Sequence, residues 1–497
     1  MNDNLEPNAL GDAALTRPNA GVERNEGQPA PDSDEDEKSG RVRRGRKNGG
    51  SADGVAYVPA DLGSIWRRFL IVTLIVQIAT VATVATVAAI QFKLWAPIDE
   101  EAHYSYIQQV AEHGDLPVLG KSETSPEGLA IYQGTYPRPT TIDPKKFGVG
   151  GLSYEAWQPP LYYIVAAPVF AIPSNYVHKA YAVRFFDVLL LLAAVALAGR
   201  LCRLVLRERW LIGWSMTMVF FALPGVVVRF VTISYLALAL PLAILFACEL
   251  WLAWARHSPA RLVVAGLVLG LCLLTELELL ALIPVYLLVA GAEIVRRRPT
   301  RQVRGILIAV VIPFVVMAPW FAFNEAEYHM MTAGPISQSE VAPIVNPHGT
   351  VTPISQLPDN TVSLLDPVLP AEWGASLAPH PALNYLDMLL GVLIVPAGLV
   401  LVVGMGRRLW SISLAILGLP WLFTMVELWY VRFGQQSGVA ARYTYPVVPI
   451  LVVLVALATD TIRARFLPLL VNGAAAAAVV VIWSYLIFAY SGAFALT

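Results

Sequence analysis

The stretch Leu161-Tyr-Tyr-Ile-Val-Ala-Ala-Pro-Val-Phe-Ala-Ile172 decides how the rest of the chain is threaded. A hydrocarbon core about 30 Å thick takes about 20 apolar helical residues to cross, and this run has only about 12. Longer apolar runs occupy 69–92, 182–200, 210–229, 233–254, 261–275, 279–295, 304–323, 383–405, 410–430, 443–459 and 466–490. They predict an all-α polytopic membrane protein with about 11 transmembrane helices. Cytoplasmic loops carry an excess of Lys and Arg. With the N-terminus inside, Arg67 and Arg68 lie inside, and so do Arg200/Arg203/Arg207/Arg209, Arg256 and Arg261, Arg296/Arg297/Arg298/Arg301/Arg304, Arg407/Arg408 and Arg463/Arg465. That holds only if 161–172 does not cross. The run is therefore expected to be an interfacial or re-entrant helix on the outer side, and the C-terminus comes out outside.

Composition agrees. Hydrophobic residues make up 56% of the 497 and charged residues 14%, well below the roughly 25% charged of soluble domains. The net charge of −1 supplies no pull toward nucleic acid, and none is expected as a partner. Cys202, Cys248 and Cys272 all sit in apolar runs, so neither a disulfide framework nor a CxxC metal site is present. Residues 1–64 differ from the rest of the chain. They are polar and charged, with an acidic run Asp32–Glu37 before the basic Arg41–Lys47, and read as a disordered cytoplasmic tail. Residues 65–497 form the transmembrane domain. Within it, 93–181 and 324–382 are two large outer loops, rich in Pro, Gly, Asn and acid. An enzyme working at the outer surface needs such loops; a pump working at mid-membrane does not.

Chemistry concentrates just past the first span, at Pro97-Ile-Asp99-Glu100-Glu101-Ala-His103-Tyr104. On a short helix Asp99 and His103 share a face, and Glu100 and Tyr104 share the next. Three adjacent carboxylates at a membrane surface are tolerable only with water, a cation or a proton-sharing partner close by. One of them could take the proton of an attacking hydroxyl. The plainer alternative is an acidic first turn favoured by the helix dipole. A second constellation is Tyr154-Glu155-Ala-Trp157-Gln158-Pro159-Pro160-Leu-Tyr162-Tyr163. Its prolines fix the chain entering the interfacial helix, and its aromatics also suit an interfacial belt.

Taken in order, the two patterns resemble the GT-C superfamily, membrane glycosyltransferases that use polyprenyl-phosphate sugars, including protein O-mannosyltransferase-like and aminoarabinose-transferase-like members. The resemblance continues through Ala182-Val-Arg184-Phe-Phe186, Leu223-Pro224 before Ser234-Tyr235, Thr275, Ala318-Pro-Trp320 and Ala441-Arg442-Tyr443-Thr-Tyr445-Pro446. It implies a GT-C-like fold. It implies a polyprenyl-phosphate-linked sugar as donor, membrane lipids as surroundings, and transfer to an acceptor at the outer face of the cell membrane. Asp99 matches the acidic residue that serves as base or organiser, and Glu100 its partner. His103 and the corner at Gln158 would line the same cavity, with Glu155 and Tyr162 beside them.

The sequence departs from the family at two places. Ser234-Tyr235 stands where Asn-Asp is common, and Thr275-Glu276 where Thr-Lys is common. A carboxylate at Glu276 repels a lipid phosphate unless it is protonated or bridged. Glu276 and Glu278 are expected near outer helix ends, where solvation lowers their cost, and read either as substrate-binding site residues or as part of the rim. Arg432 and Arg442 are then the leading phosphate-binding residues, since a guanidinium fork matches phosphate oxygens, with Tyr443 and Tyr445 adding hydroxyls. Arg184 and Arg229 are weaker alternatives. If a divalent cation takes part, Asp99, Glu100 and Glu276 offer hard oxygen ligands suited to magnesium or manganese. Two rival functions remain: a catalytically inactive GT-C-like protein that binds lipid or polymer, and a transporter, against which the large outer loops count.

Overall fold

A computed structural model of the chain describes residues 64–95, 99–143, 153–297, 301–331, 445–458 and 467–489. Every regular element among them is a helix. The first, α1 (Ser64–Gln91), is rich in Val, Ile and Thr, residues that favour strands in water. Lipid reverses that preference, because a helix satisfies its own backbone hydrogen bonds where no water can. Five described stretches are long and apolar enough to cross a membrane: Ser64–Gln91, Tyr176–Phe221, Leu236–Arg256, Leu277–Arg296 and Val303–Tyr328. The chain is an all-α membrane protein. The expected spans 383–405 and 410–430 lie outside the described residues, as do the tail 1–63 and most of the loop 324–382.

The first loop is folded into short helices, α2 (Glu100–His113), α3 (Pro126–Gln133) and α4 (Leu161–Ala171). At about 1.5 Å per residue, α4 is too short to cross. It buries Tyr162, Tyr163, Ala166, Ala167 and Phe170 against α2 and α5. Next come α5 (Tyr176–Leu206) and α6 (Trp210–Phe221), separated by a short turn at Arg207–Arg209.

One expected span is broken. The run 210–229 is not a single helix: α6 stops at Phe221 and α7 (Pro224–Val231) starts again. Pro224 lacks an N–H and clashes with the preceding turn, so it opens a helix better than it continues one. A second break comes at Thr232, whose backbone is extended, before α8 (Leu236–Arg256).

Beyond it lie α9 (Pro259–Leu273), a tight turn at Leu277–Ala281, α10 (Leu282–Arg297), α11 (Arg301–Tyr328), α12 (Val448–Ala458) and α13 (Leu467–Ala489). Helices α9 and α11 approach closely. A Cβ on Gly266 would sit 2.8 Å from the Ala309 carbonyl, and one on Gly270 would sit 2.6 Å from Val316 Cβ. Two glycines four apart are what a close membrane crossing requires. A buried polar knot ties α1, α6 and α13 together. Gln77 Nε2 donates to Asn472 Oδ1 at 3.1 Å, Trp214 Nε1 to Gln77 Oε1 at 2.8 Å, and Ser215 Oγ to Asn472 Oδ1 at 3.0 Å; Asn472 in turn donates to Thr73.

The helix ends sort by charge. At one end, Glu249 accepts from Arg200 at 2.6 Å and from Arg261 at 2.7 Å. Nearby, Glu293 pairs with His257 and Arg296, while Arg296 lies over the Trp254 ring and Arg203 over Trp210. The opposite end gathers the first loop. There the Tyr328 hydroxyl accepts from Leu119 N at 2.8 Å, and Lys121 pairs with Glu327.

Candidate functional site

Glu100, 1% exposed, and Arg184, 0% exposed, form a buried fork. Arg184 Nε meets Glu100 Oε1 at 2.7 Å and Nη2 meets Oε2 at 2.5 Å. The remaining guanidinium hydrogens go to the carbonyls of Ala89, Phe92 and Lys93 at the end of α1. All five donors of the side chain are spent. The carboxylate is equally engaged, since Oε2 also accepts from Trp95 N at 3.0 Å and Oε1 from Ile233 N at 3.1 Å. The break after α7 explains that last bond. It frees the Ile233 amide, and Glu100 takes it up. One ion pair thus locks the end of α1, the start of α2, α5 and the α7–α8 break.

Asp99 is set apart from this fork by its backbone. It lies in the left-handed region, with φ 71° and ψ 0°, where a non-glycine residue is uncommon and tends to mark a functional site. Its carbonyl caps α2 by accepting from Ala102 N and His103 N, but its side chain makes no capping bond. Instead Oδ1 accepts from the Tyr154 hydroxyl at 2.8 Å, and the same hydroxyl lies 3.4 Å from Glu101 Oε1. Burial pushes the Glu101 carboxyl up to about 7, and the charges of Asp99 and Glu100 add to the rise; its backbone and Tyr154 bonds oppose it. Burial pushes the Tyr154 phenol up, and so do the carboxylates of Asp99, Glu101 and Glu155. A single phenolic hydrogen cannot serve two anions. Tyr154 gives it to Asp99 at the shorter distance, and burial inclines Glu101 to hold a proton of its own. This is the proton-sharing partner that three adjacent carboxylates require.

Behind this pair lies a dense aromatic floor. His103 Nδ1 and the Tyr163 hydroxyl are 2.9 Å apart, and the imidazole sits edge-on to Tyr235. Tyr163 stacks on Tyr106 with centroids 3.6 Å apart, and the Tyr106 hydroxyl donates to the Gln158 carbonyl at 3.3 Å. Tyr162 is fully buried and donates to Asp187 at 2.9 Å. Leu161 N donates to the Leu274 carbonyl, which joins the proline corner to the break after α9. Glu155 and Gln158 are buried at 7% and 2% exposure.

No family model matches the chain, and no curated protein does so either. Among solved structures, an oligosaccharyltransferase from Archaeoglobus fulgidus in complex with zinc and sulfate is 16% identical, over 81% of this chain and 52% of that one, with a TM-score of 0.45. ArnT from Cupriavidus metallidurans bound to undecaprenyl phosphate is 15% identical, over 81% and 61%, with a TM-score of 0.42. The archaeal oligosaccharyltransferase AglB, with an inhibitory peptide and a dolichol-phosphate, is 13% identical over 82% and 55%, with a TM-score of 0.36. The chain spans between half and about three-fifths of their lengths.

Three expectations are corrected by the geometry. Arg184 has no donor left for a phosphate, because Glu100 and three carbonyls take them all. Glu276 and Glu278 are not at a solvated rim; they are 0% and 8% exposed, because the chain folds inward in the turn after α9 instead of ending a helix at the surface. Asp99, Glu100 and Glu276 do not form a ligand set. Among the described residues no group of three or more His, Cys, Asp or Glu is arranged to hold a metal ion, and the oxygens of Glu100 are already occupied.

Arg229 is buried on α7. Arg432, Arg442 and Tyr443 lie outside the described residues. Glu101 and Tyr154 are the site residues that the sequence names without assigning. Their signal was the crowding of three carboxylates, which demanded a partner and could not say which residue supplied it.

Proposed function

We propose that the chain is a membrane glycosyltransferase that moves a sugar from a polyprenyl-phosphate donor to a hydroxyl acceptor at the outer face of the membrane. The observation that carries this is Asp99, held on a strained backbone and steadied by Tyr154 beside a carboxyl that titrates near neutrality. Asp99 accepts the proton of the attacking hydroxyl as the hydroxyl oxygen bonds to the sugar's anomeric carbon and the lipid phosphate departs. Glu100 is a positioning residue: with its lone pairs engaged, it fixes the turn that presents Asp99. His103 and Tyr163 form one wall, with Glu155, Gln158 and Tyr162 behind them. Arg442, with Tyr443, and Arg432 are proposed as the cations for the lipid phosphate. Residues 1–64 are the cytoplasmic tail and 65–497 the transmembrane domain. The arginine-rich end faces the cytoplasm, in keeping with the bias of such residues.

One feature favours a second reading, in which the protein binds the lipid without transfer. It is the fully buried Glu276, a carboxylate where a cation would suit a phosphate. A single assay separates the two. Purified protein is given radiolabelled polyprenyl-phosphate sugars and a membrane extract as acceptor source. Transfer by the wild type and its loss in Asp99→Asn supports the enzyme. Lipid binding with no transfer from any donor sinks it and leaves the binder.

A further inference from the structure

The carboxylates at the start of α2 leave a second group of buried polar atoms without a role. Helix α11 carries Trp320, Asn324 and Tyr328 at successive fourth positions, hence on one stripe. Tyr328 shows where the stripe faces: its hydroxyl meets Leu119 N, and its ring packs with Leu119 and Ala156. Trp320 clusters with Leu277 and Leu279 of the turn after α9, and both Trp157 and Phe323 pack against each of these groups. The stripe therefore runs along the junction between the Tyr154–Trp157 turn and the Leu277–Ala281 turn.

Trp320 and Asn324 lie on that stripe and Gln158 directly follows the Tyr154–Trp157 turn; they are 2%, 0% and 2% exposed. Even so, Trp320 Nε1, Asn324 Oδ1 and Gln158 Oε1 have no hydrogen-bond partner among the described residues. Interiors leave few polar atoms in this state, and these three border the one junction that Trp157 and Phe323 bridge. Asn324 is oriented by its Nδ2, which donates to the Met331 carbonyl at 3.2 Å, so Oδ1 is its unspent end. The Trp320 ring lies parallel to Phe323, with centroids 5.4 Å apart. One N–H donor and two amide acceptors beside an aromatic pair suit a polyol. Its hydroxyls can donate to both amides and accept from the indole, while its C–H face lies on the rings. A phosphate suits them badly, because it brings only acceptors to two more acceptors.

We propose that Trp320, Asn324 and Gln158 form the subsite that receives the hydroxyls of the transferred sugar, an inference that rests on the transferase reading. The test uses the full chain in lipid nanodiscs, titrated with bare decaprenyl phosphate and with decaprenyl phosphate carrying mannose, glucose or arabinose. The wild type should bind at least one sugar-bearing lipid more tightly than the bare lipid. Trp320→Phe keeps the ring and removes the N–H; Asn324→Leu keeps the volume and removes the acceptor. Each should weaken the preferred sugar-bearing lipid by about tenfold, the scale of one buried hydrogen bond, and leave the bare lipid unchanged.

Equal weakening of both lipids assigns these residues to packing and overturns the subsite. No change at all means the atoms hold ordered water only, and also overturns it. A wild type that treats every sugar-bearing lipid like the bare one does the same. Transfer with unaltered sugar affinity in both variants overturns the subsite while the transferase stands. Sugar-selective binding lost in the variants, without transfer from any donor, keeps the subsite and removes the transferase.

Discussion

The Tyr154 hydroxyl stands 2.8 Å from Asp99 Oδ1, across 55 residues of sequence. It ties the second constellation to the acidic turn, bonding Asp99 at short range and reaching Glu101 only at 3.4 Å. Removing that hydroxyl while keeping the ring, as in Tyr154→Phe, should lower transfer by about tenfold, one hydrogen bond's worth, with little change in melting temperature. Steady-state rates on the purified variant check this; an unaltered rate would detach Tyr154 from the chemistry.

Asp99→Asn retains size and removes the proton acceptor. Transfer should fall by about 10²-fold or more, and the fold should survive, because the ion-pair lock is carried by Glu100. Circular dichroism melts alongside the rate measurement distinguish the two effects. A variant that melts early and loses activity in proportion would make Asp99 structural.

Glu101 gives a pH signature with a definite sign. Its carboxyl is raised from 4.5 to about 7 in the folded protein, so between those values the folded state holds a proton that the unfolded chain has released. Its contribution to stability is full below about 4.5 and is lost as pH rises through about 7. Glu101→Gln should therefore melt higher than the wild type at pH 8 and the same at pH 4.5. The opposite order at pH 8 would mean that the charged form is the favoured one.

The buried fork should be the most fragile point in the described structure. Arg184→Leu leaves Glu100 charged, buried and short of its partner, a loss of about 3–5 kcal/mol in comparable cases. The double variant Arg184→Leu with Glu100→Leu should be milder than either single change. Chemical unfolding in detergent measures both. Additive losses would show that the two side chains do not act as a pair.

Helix contact offers a test remote from the site. Gly270→Leu pushes a side chain into Val316, which already sits 2.6 Å from where its Cβ would fall. Overpacking of this kind costs about 1–3 kcal/mol, and Gly270→Ala should cost less. A Gly270→Leu protein as stable as wild type would mean that α9 and α11 can separate freely.

Much of the helix plan was legible because lipid permits few alternatives. The run 69–92 had to be helical, and 161–172 was too short to span. Pro224 was visible in the sequence, but its consequence was not. Residues 210–229 are apolar throughout, and hydropathy does not register where a missing N–H interrupts a helix. Asp99 and Glu100 were legible as a pair, whereas their division of labour depended on Arg184 and Ile233, 84 and 133 residues downstream of Glu100. Spacing along one helix carries no trace of bonds that distant. The burial of Glu276 was hidden for a similar reason, since proximity to a helix end says nothing about which way the chain turns next.

Those separations also impose an order on synthesis. When Glu100 leaves the ribosome, its countercharge is 84 residues away and its Ile233 amide 133. Until α5 is inserted, the carboxylate must wait in water, because burial alone would be prohibitive. Insertion of α5 brings Arg184, and only the later arrival of the α7–α8 break closes the last bond. A nascent chain halted between those points holds the acidic turn tethered but not locked, and the machinery at Asp99 is therefore completed late, by a segment that contributes no side chain to the lock.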